Sequence, residues 1–323
     1  MESKLAERAA EVTEFASASN VQIVPARSRR EINLFVGMPW SLYADDPCWV
    51  PPLLIERKDF INRKRHPFYL HGAAAQFLAL RAGQVVGRIL VSDDPNYNRE
   101  HQANLGCFGM FESIDDESVA AALIEAAADW LRARGRDTLR GPIDYSLNYN
   151  CGLLIDGFDT PPRIMMNHNP PYYARLLEAC GLAKAKDMYA WWFDDNQPVM
   201  IDWRRRAERL AQRARFTVRP LRLNDLHAEI QRCKEVYNAA WERSWGFVKM
   251  TDAEFNYLAK HLKLIAMPDL LLLAEMEGRP IGFSMTLPDL NEALRPLDGR
   301  LFRWGLPLGL VRLSRARRQI QTA

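Results

Sequence analysis

Two glycine-containing turns, each flanked by mainly apolar segments, predict two β-hairpins. The first spans 76–91 with its turn at Ala82-Gly83, and the second spans 270–287 with its turn at Glu277-Gly278. Glycine supplies the positive φ that such tight turns require. Each hairpin is therefore expected to contribute two antiparallel strands to a sheet.

The two hairpins belong to a repeat with one constant displacement. Ala79-x-x-x-Gly83-x-x-Val86-Gly87 returns as Ala274-x-x-x-Gly278-x-x-Ile281-Gly282, and Ile23-x-Pro25 returns as Val218-x-Pro220. The displacement is 195 residues from Ala79 to Ala274 and again from Ile23 to Val218. Two elements that keep one displacement over this distance indicate a duplicated structural unit.

The second half places two helices between its first strand and its hairpin. The first is predicted by an apolar stripe at helical spacing, formed by Leu226, Ile230, Cys233, Tyr237, Ala240 and Trp241. The second begins at a capping box, Thr251-x-x-Glu254. The order is therefore strand, helix, helix, strand, strand.

The first half continues beyond its hairpin. An apolar run at 105–111 predicts a central strand, and a helix follows that Asp115 or Asp116 caps and Gly135 ends. Next come a strand at 138–143, a long loop through Asn169, a helix from Pro170 or Pro171 to Gly181, and a closing strand at 188–193. Strands that alternate with helices predict an α/β fold, a mixed sheet with helices on both faces.

This order resembles the GNAT superfamily of acyl-CoA-dependent N-acyltransferases. The residues that carry the resemblance are Val86-Gly87 and Ile281-Gly282 in the hairpins, and Asn169-Pro170-Pro171-Tyr172-Tyr173 leading to Cys180-Gly181-Leu182. The resemblance extends over residues of about 21–193 in full and 216–287 in part. It implies two repeats of that fold and transfer of an acyl group, from acetyl-CoA or another acyl-CoA, to the amine of a small molecule or peptide.

The repeat divides the chain into an N-terminal tail (1–20), a first repeat (21–195), a basic linker helix (196–215) and an incomplete second repeat (216–323). Counted by the displacement of 195, a complete second repeat would extend past Ala323. We therefore expect the second repeat to lack its central strand and phosphate loop, and the segment from Leu301 to be an undocked connector. The exposed edge of the last strand is expected to favour a homodimer or aggregation.

The resemblance also implies where the chemistry lies. In the superfamily, the loop after the central strand presents backbone N–H groups to the CoA pyrophosphate, but here that stretch carries Asp115, Asp116 and Glu117. We therefore expect no CoA binding of the usual kind in the first repeat, and we assign no cofactor-binding residue. The usual position of the general acid holds Leu177, so the candidate catalytic residue is Tyr173, one turn earlier.

Four further residues are candidates for substrate binding. Asn169 and Tyr172 lie at the start of the last helix of the first repeat, and Tyr145 and Asn148 lie in a polar, aromatic loop. Long loops in compact domains are often functional. These residues would border the cleft through which substrates of the superfamily enter.

Three functions stay open. The first is GNAT-like N-acyl transfer, with an inactive chain as one outcome. The second is a non-catalytic, degenerate module that binds a ligand or a partner, which the acidic turn at 115–117 favours. The third is a relative of the Fem-type aminoacyl transferases, which use tandem repeats of this fold and bind tRNA, and this would explain the arginines between Arg204 and Arg219.

Composition and residue spacing indicate which classes of partner and which kinds of site to expect. The chain has 323 residues, of which 48% are hydrophobic, and its formal net charge of +3 is too small to indicate nucleic acid by itself. No apolar run reaches the length of about 18 residues that a membrane span needs, and residues 1–20 do not resemble a secretion signal. We therefore expect a cytoplasmic protein with no membrane partner. The five cysteines and six histidines show no Cys-x-x-Cys or His-x-x-x-His pair, so no metal site is predicted.

Overall fold

The computed structural model describes residues 21–194, 197–213, 215–262, 267–302 and 307–316. The described residues form two compact units. The first comprises residues up to Ala183 together with residues from 294 to 312, and the second comprises 184–293 with the residues after 312. The first unit therefore ends before the predicted boundary at 195, and residues 294–312 join it rather than the second repeat. The predicted tail at 1–20 lies outside the described residues.

The first unit is built on a five-stranded sheet in the order β1-β2-β3-β4-β5. Its strands are β1 (Val21–Pro25), β2 (Ala73–Arg81), β3 (Gln84–Asp93), β4 (Leu105–Ser113) and β5 (Thr138–Arg140). Neighbouring strands are antiparallel, except that β5 runs parallel to β4. The predicted mixed sheet is confirmed.

Five helices of the first unit connect or cover these strands. They are α1 (Arg29–Leu42), α2 (Leu54–Phe60), α3 (Pro95–His101), α4 (Glu117–Arg132) and α5 (Tyr173–Ala179). Asp116 is the cap of α4, because its Oδ1 accepts hydrogen bonds from the N–H groups of Ser118 and Val119. Helix α5 ends before Gly181, which has φ +82°.

Helices pack on both faces of this sheet. Residues of β3 alternate between two apolar clusters: Ile89 and Val91 join Leu123 of α4 on one face, and Leu90 joins Phe35 of α1 on the other. Burial of each such side chain stabilises the fold by about 1.5–3 kcal/mol. The predicted arrangement of helices on both faces is therefore confirmed.

The second unit contains a three-stranded sheet in the order β6-β7-β8. The remaining elements along the chain are α6 (Pro198–Arg213), β6 (Phe216–Pro220), α7 (Leu226–Trp241), α8 (Asp252–Leu262), β7 (Leu271–Met276), β8 (Arg279–Met285), α9 (Asn291–Leu294) and α10 (Leu308–Ala316). The predicted capping box of α8 is present, because Thr251 Oγ1 accepts from Glu254 N–H and Glu254 Oε2 accepts from Thr251 N–H.

The strand register reproduces the displacement of 195. Ile23 pairs with Ala79, which pairs with Gly87, and Val218 pairs with Ala274, which pairs with Gly282. The register shifts directly after Ala79 and again directly after Ala274. Both turns have positive φ, at Ala82-Gly83 and at Glu277-Gly278. The predicted duplication is confirmed, since paired strands, bulge and turn all recur.

The two repeats differ in how their hairpins are covered. A Cβ atom at Gly87 would lie 2.8 Å from Cδ1 of Leu123, so glycine lets α4 approach the first hairpin closely. At Gly282 such an atom would meet only the Cβ of Ala274, at 3.8 Å. Ile281 and Met285 of β8 are exposed, and β8 has no second neighbouring strand among the described residues.

Two sequence-based expectations are wrong. Residues 188–193 form no strand, and Tyr189 and Trp191 are exposed, because no described strand pairs with this segment. The strand expected at 138–143 ends at Arg140, and beyond it Ile143 forms only an isolated bridge to Cys151.

The segment from Leu301, expected to be an undocked connector, belongs to the first unit as far as Arg312 in its described part. Residues before Leu301 already pack within the first unit, where Trp40 Nε1 donates to Asp298 Oδ1 at 2.7 Å and Leu54 N–H donates to Gly299 O at 3.0 Å. Residues 303–306 and those after 316 lie outside the described part. No helix of the described residues combines the length and the apolar character that crossing a bilayer requires.

Candidate active site

The outer edge of β4 loses its strand partner where β5 ends. Beyond that point, Phe108 O accepts from Ile143 N–H at 2.6 Å. The N–H of Met110 donates to Asp144 Oδ1 at 2.8 Å, and the N–H of Ser113 donates to the Tyr173 hydroxyl at 3.0 Å. Met110 has φ +44°, in the stretch where the register between β3 and β4 shifts. Loop and side-chain groups thus replace a neighbouring strand along this edge.

A largely buried carboxylate, that of Glu112, lies at the end of the same strand, with its side chain 13% exposed. Glu112 Oε2 accepts hydrogen bonds from the hydroxyls of Tyr43, at 2.8 Å, and Tyr173, at 2.7 Å. Its Oε1 accepts from Arg88 Nη2 at 3.2 Å, and Arg88 Nη1 donates to Phe35 O at 2.7 Å. Burial, together with the nearby charge of Glu112, raises the pKa of Tyr43 and Tyr173 well above the usual range. Both phenols therefore remain protonated.

A histidine–aspartate pair lies beside this cluster. His168 Nε2 is 2.7 Å from Asp46 Oδ2, and the His168 ring centroid is 5.8 Å from that of Tyr43. The His168 side chain is only 6% exposed, and its Nδ1 is buried without a hydrogen-bond partner among the described residues. Because one ring nitrogen is held by a carboxylate, the other is left to accept a proton, as general bases require.

The contacts of Asp46 favour the ionised carboxylate that holds the His168 ring. Burial alone raises the pKa of its carboxyl, but the hydrogen bonds with His168 and with the N–H of Cys48 bring it below the ordinary value. An ionised Asp46 accepts the Nε2 proton of His168 and thereby sets the ring orientation. Tyr43, stacked on Trp49 at 5.1 Å, joins this pair to the Glu112 cluster.

The predicted site residues divide between two places. Tyr173 is buried, and Tyr172 is half-buried and donates to Ser113 O at 2.9 Å, so both lie at the end of β4. Asn169, also buried, holds the long loop through Leu154, whose N–H donates to Asn169 Oδ1 at 2.7 Å. Asn148 lies in a turn where its N–H donates to Ser146 Oγ. The catalytic and binding roles of these residues stay predictions.

Tyr145 lies in a separate buried cluster. Its ring stacks between His66, at 4.7 Å, and Phe68, at 4.6 Å, and its hydroxyl donates to Phe60 O at 3.0 Å. It has φ +62°. The neighbouring Asp144 is buried, which raises the pKa of its carboxyl to about 6. The Tyr145 ring packs among buried groups of the first unit, and its hydroxyl also lies 3.3 Å from that of the half-buried Tyr69.

Sequence reasoning missed the residues that form this site: Tyr43, Asp46, Arg88, Glu112 and His168. One signal was available, because Arg88 and Glu112 occupy paired positions on β3 and β4 and carry opposite charges. The other partners lie far apart along the chain, with 122 residues between Asp46 and His168. Only the fold brings them together.

The acidic turn before α4 does not fit a pyrophosphate. The N–H groups of Ser118 and Val119, which such a group would use, already donate to Asp116. Arg81 forms an ion pair with Asp116 at 2.8 Å, and this hydrogen bond is the main reason that the Asp116 pKa falls to about 2. Arg175 binds Asp115 and Glu117. The described residues also contain no cluster of acidic, histidine and cysteine side chains that could hold a metal ion.

Two curated proteins are similar to the chain over most of its length. Protein YghO of Escherichia coli (strain K12) is 37% identical over 289 residues, which are 89% of this chain and 73% of that protein. Bacterial ceramide synthase of Caulobacter vibrioides (strain NA1000 / CB15N) is 37% identical over 297 residues, 92% of this chain and 77% of that protein. No family model matches the chain.

Solved structures similar to the chain include a tandem GNAT protein and an acetyltransferase. A tandem GNAT protein from the clavulanic acid biosynthesis pathway has a TM-score of 0.48 and 14% identity, and the match covers 93% of this chain and 88% of that one. A ribosomal-protein-alanine N-acetyltransferase from Brucella melitensis biovar Abortus 2308 has a TM-score of 0.33 and 19% identity, and the match covers 55% of this chain and 99% of that one.

Proposed function

Because the chain belongs to the family that includes Protein YghO and bacterial ceramide synthase, we propose that it is an N-acyltransferase that joins an activated acyl group to a lipid amine. The observation that carries the proposal is the half-buried His168–Asp46 pair beside Tyr43 and the Glu112 cluster, with Nδ1 of His168 left to accept a proton. The GNAT-like fold supports acyl transfer as the reaction class.

The site supplies the proton transfer that amide formation needs. The amine nitrogen attacks the carbonyl carbon of an acyl thioester, the C–N bond forms, the C–S bond breaks, and the thiol leaves. Because Nδ1 of His168 is buried, the site has to open before substrate reaches this atom. His168 Nδ1 then takes the proton that the nitrogen loses and returns it to solvent or to the leaving sulfur. A positioned base of this kind contributes about 10²–10⁴-fold to such a rate. Asp46 stabilises the histidinium that forms.

The acyl donor enters this proposal as a thioester, of which acetyl-CoA and other acyl-CoAs are examples. The turn at Asp115–Glu117 is not assigned to the donor, because its helix N–H groups are already bonded and its three side chains are acidic. Tyr173 stays a candidate acid for the leaving sulfur. Its burial, which raises its pKa, opposes that role unless the site opens when substrate binds.

The relative's name supports a lipid amine as acceptor over a peptide amine. That relative is called a ceramide synthase, and a ceramide is the amide of a fatty acid with a long-chain amino alcohol. We therefore propose a long-chain amine as the acceptor. A small-molecule or peptide amine, as the fold resemblance alone implies, is the alternative that the experiment tests.

The test is an acyl-transfer assay on the purified chain. Acyl-CoAs of several chain lengths are incubated with a long-chain amino alcohol, a short amino alcohol or an alanine-starting peptide, and amide and free thiol are quantified. We expect both products only with the long-chain amine, in equal amounts. Amide formed only with the peptide would contradict the acceptor. Ligand binding without any amide would favour the non-catalytic module that the acidic turn suggests.

A further inference from the structure

Helix α6 is exposed on all sides. Every described side chain of this helix is exposed except that of Met200, which is half-buried. Val199, Trp203 and Leu210 lie along one stripe of the helix, because they recur at helical spacing. A soluble helix normally buries such a stripe against its own core. Here nothing in the described part of the second unit covers it.

An aromatic segment lies next to the same helix. Tyr189 is 77% exposed and Trp191 is 76% exposed, and the segment ends at Phe193, whose ring centroid is 6.3 Å from that of Trp203 on α6. The segment and the helix stripe therefore form one patch. We call it the aromatic–basic surface, and its apolar members are Tyr189, Trp191, Trp192, Phe193, Val199, Trp203 and Leu210.

Helix α6 is also strongly basic, with five arginines. Arg206 and Arg213 continue the same stripe, three residues after Trp203 and Leu210 respectively, and Arg204, Arg205 and Arg209 lie on the other faces. The helix has only two acidic residues, Asp202 and Glu208, and Asp202 is already paired with Arg206 at 2.8 Å. The other four guanidinium groups have no ion pair within the described residues. The surface thus combines exposed tryptophans and aliphatic side chains with an excess of positive charge.

We propose that the aromatic–basic surface binds the surface of an anionic lipid bilayer, with α6 lying in the plane of the interface. Helices that bind in this way are amphipathic, have low mean hydropathy, carry arginine on the polar face and place Trp, Phe or Leu on the other. Aromatic rings sit at the level of the lipid head groups, and arginine stems reach along apolar surface to keep their charge in water.

The exposed aliphatic residues favour a bilayer over nucleic acid. A nucleic-acid surface needs basic groups and stacking rings, but it gives no role to Val199 and Leu210, both of which are exposed. A bilayer interface accommodates arginine, aromatic and aliphatic side chains together. This binding mode differs from membrane crossing. Helix α6 has 16 residues, fewer than the about 20 that a spanning helix needs, and in this proposal it lies in the plane of the interface. The proposal does not depend on acyl transfer, although a protein docked on a bilayer would meet lipid amines there.

The test is flotation of the full chain with lipid vesicles. One set of vesicles contains only phosphatidylcholine, and the other contains equal parts of phosphatidylcholine and phosphatidylglycerol. We expect binding to the anionic vesicles to be at least about tenfold tighter and to weaken as salt rises. Tryptophan emission should shift to shorter wavelength on binding, because the rings leave water.

Two variants with matched controls identify the surface. The first test variant carries both Trp191→Ser and Trp203→Ser. Its control carries both Trp241→Ser and Phe302→Ser, and so removes two similarly exposed aromatic rings elsewhere. Arg204→Gln, Arg205→Gln and Arg209→Gln together are compared with Arg99→Gln, Arg243→Gln and Arg300→Gln, which remove the same charge from exposed positions. We expect about a tenfold loss of vesicle binding in the first member of each pair only. Circular dichroism checks that all four variants fold.

Three results would overturn the proposal. The first is absence of binding to either vesicle by the unaltered chain. The second is an equal loss of binding in the variants and their controls. The third is binding to a DNA or RNA oligonucleotide that is tighter than binding to anionic vesicles and survives the tryptophan changes, since this would assign the surface to nucleic acid.

Discussion

The hydroxyl of Tyr173 donates a hydrogen bond of 2.7 Å to Oε2 of Glu112. The same oxygen of Tyr173 accepts a hydrogen bond of 3.0 Å from the N–H of Ser113. One phenol therefore satisfies a buried carboxylate and a buried backbone donor of β4 at once. This relationship gives Tyr173 a structural role whether or not it takes part in catalysis.

Replacing Tyr173 with Phe is expected to destabilise the first unit. The ring and its packing remain, but Glu112 and the Ser113 N–H each lose a partner, so the free energy of unfolding should fall by about 1–3 kcal/mol. Urea denaturation measures this, with Tyr189→Phe at an exposed position as the control. If Tyr173 is also the acid, kcat should fall about 10²–10⁴-fold. A variant as stable as the parent chain would contradict the structural role.

Replacing Glu112 with Gln tests the buried ion pair. Arg88 is 7% exposed in its side chain, and the change leaves its charge without the carboxylate 3.2 Å away. Breaking a buried pair by removing one partner costs about 3–5 kcal/mol. The control is Glu125→Gln, which breaks an exposed pair with Arg132 and should cost less than about 1 kcal/mol. Equal effects in thermal denaturation would show that the buried pair adds nothing.

Asp144 is expected to make stability depend on pH. Its folded-state pKa is raised from 3.8 to about 6, mainly because burial disfavours the charged carboxylate. Between these values the folded chain keeps a proton that the unfolded chain loses. The contribution of this proton is complete below pH 3.8 and is lost as the pH rises through about 6. The Asn side chain of the Asp144→Asn variant cannot ionise, so the unfolding free energy of this variant should not show that fall with rising pH.

The measurement is urea denaturation of both proteins across this pH window. Relative to Asp144→Asn, the parent chain should lose about 3 kcal/mol of unfolding free energy from the acidic to the neutral end. Asn retains an acceptor for the Met110 N–H, so the backbone contact is preserved. Stability curves that run parallel would contradict the raised pKa.

The turn glycines of the two repeats should respond alike to substitution. Gly83 has φ +79° and Gly278 has φ +78°, and a Cβ at either position would meet no atom within 4 Å. Alanine is therefore opposed by backbone strain alone, about 1–2 kcal/mol in each case. Gly37→Ala is the control, since Gly37 lies in α1 with open space around it. That change should stabilise the chain by about 0.5–1 kcal/mol.

Removing the His168–Asp46 pair should reduce acyl transfer without abolishing substrate binding. We expect His168→Gln to lower kcat about 10²–10⁴-fold while KM changes little, because the proton acceptor is lost and the packing is largely kept. Asp46→Asn should have a smaller effect of the same kind. His101→Gln, at an exposed position, is the control. An unchanged kcat in His168→Gln, in a chain that is active, would remove this residue from the mechanism.

The duplicated organisation was predictable because it depends on local residue patterns. A hairpin turn needs glycine at fixed places, and a helix start needs a capping oxygen, so Gly83, Gly278 and the Thr251–Glu254 box could be recognised without the fold. The displacement between the halves could be counted directly. Register, bulge and turn then recur at that displacement, since each follows from pairing of the same pattern.

Local patterns failed where a segment depends on a distant partner. Residues 188–193 are a continuous apolar, aromatic run of the kind that predicts a strand, but they form none, because a strand needs hydrogen bonds from another segment. Residues before Leu301 pack in the first unit because Asp298 meets Trp40, 258 residues away. Neither outcome is encoded within a few residues of the segment concerned.

The sequence by itself determined the two hairpins, their duplication and the acidic turn before α4, because neighbouring residues decide each of these. Only the tertiary structure decided the site. It brought Asp46 to His168 and Tyr43 to Glu112, and it turned Tyr173 towards the core. The physical reason is that a hydrogen bond acts over about 3 Å in space but is indifferent to separation along the chain, so packing alone selects which polar groups meet.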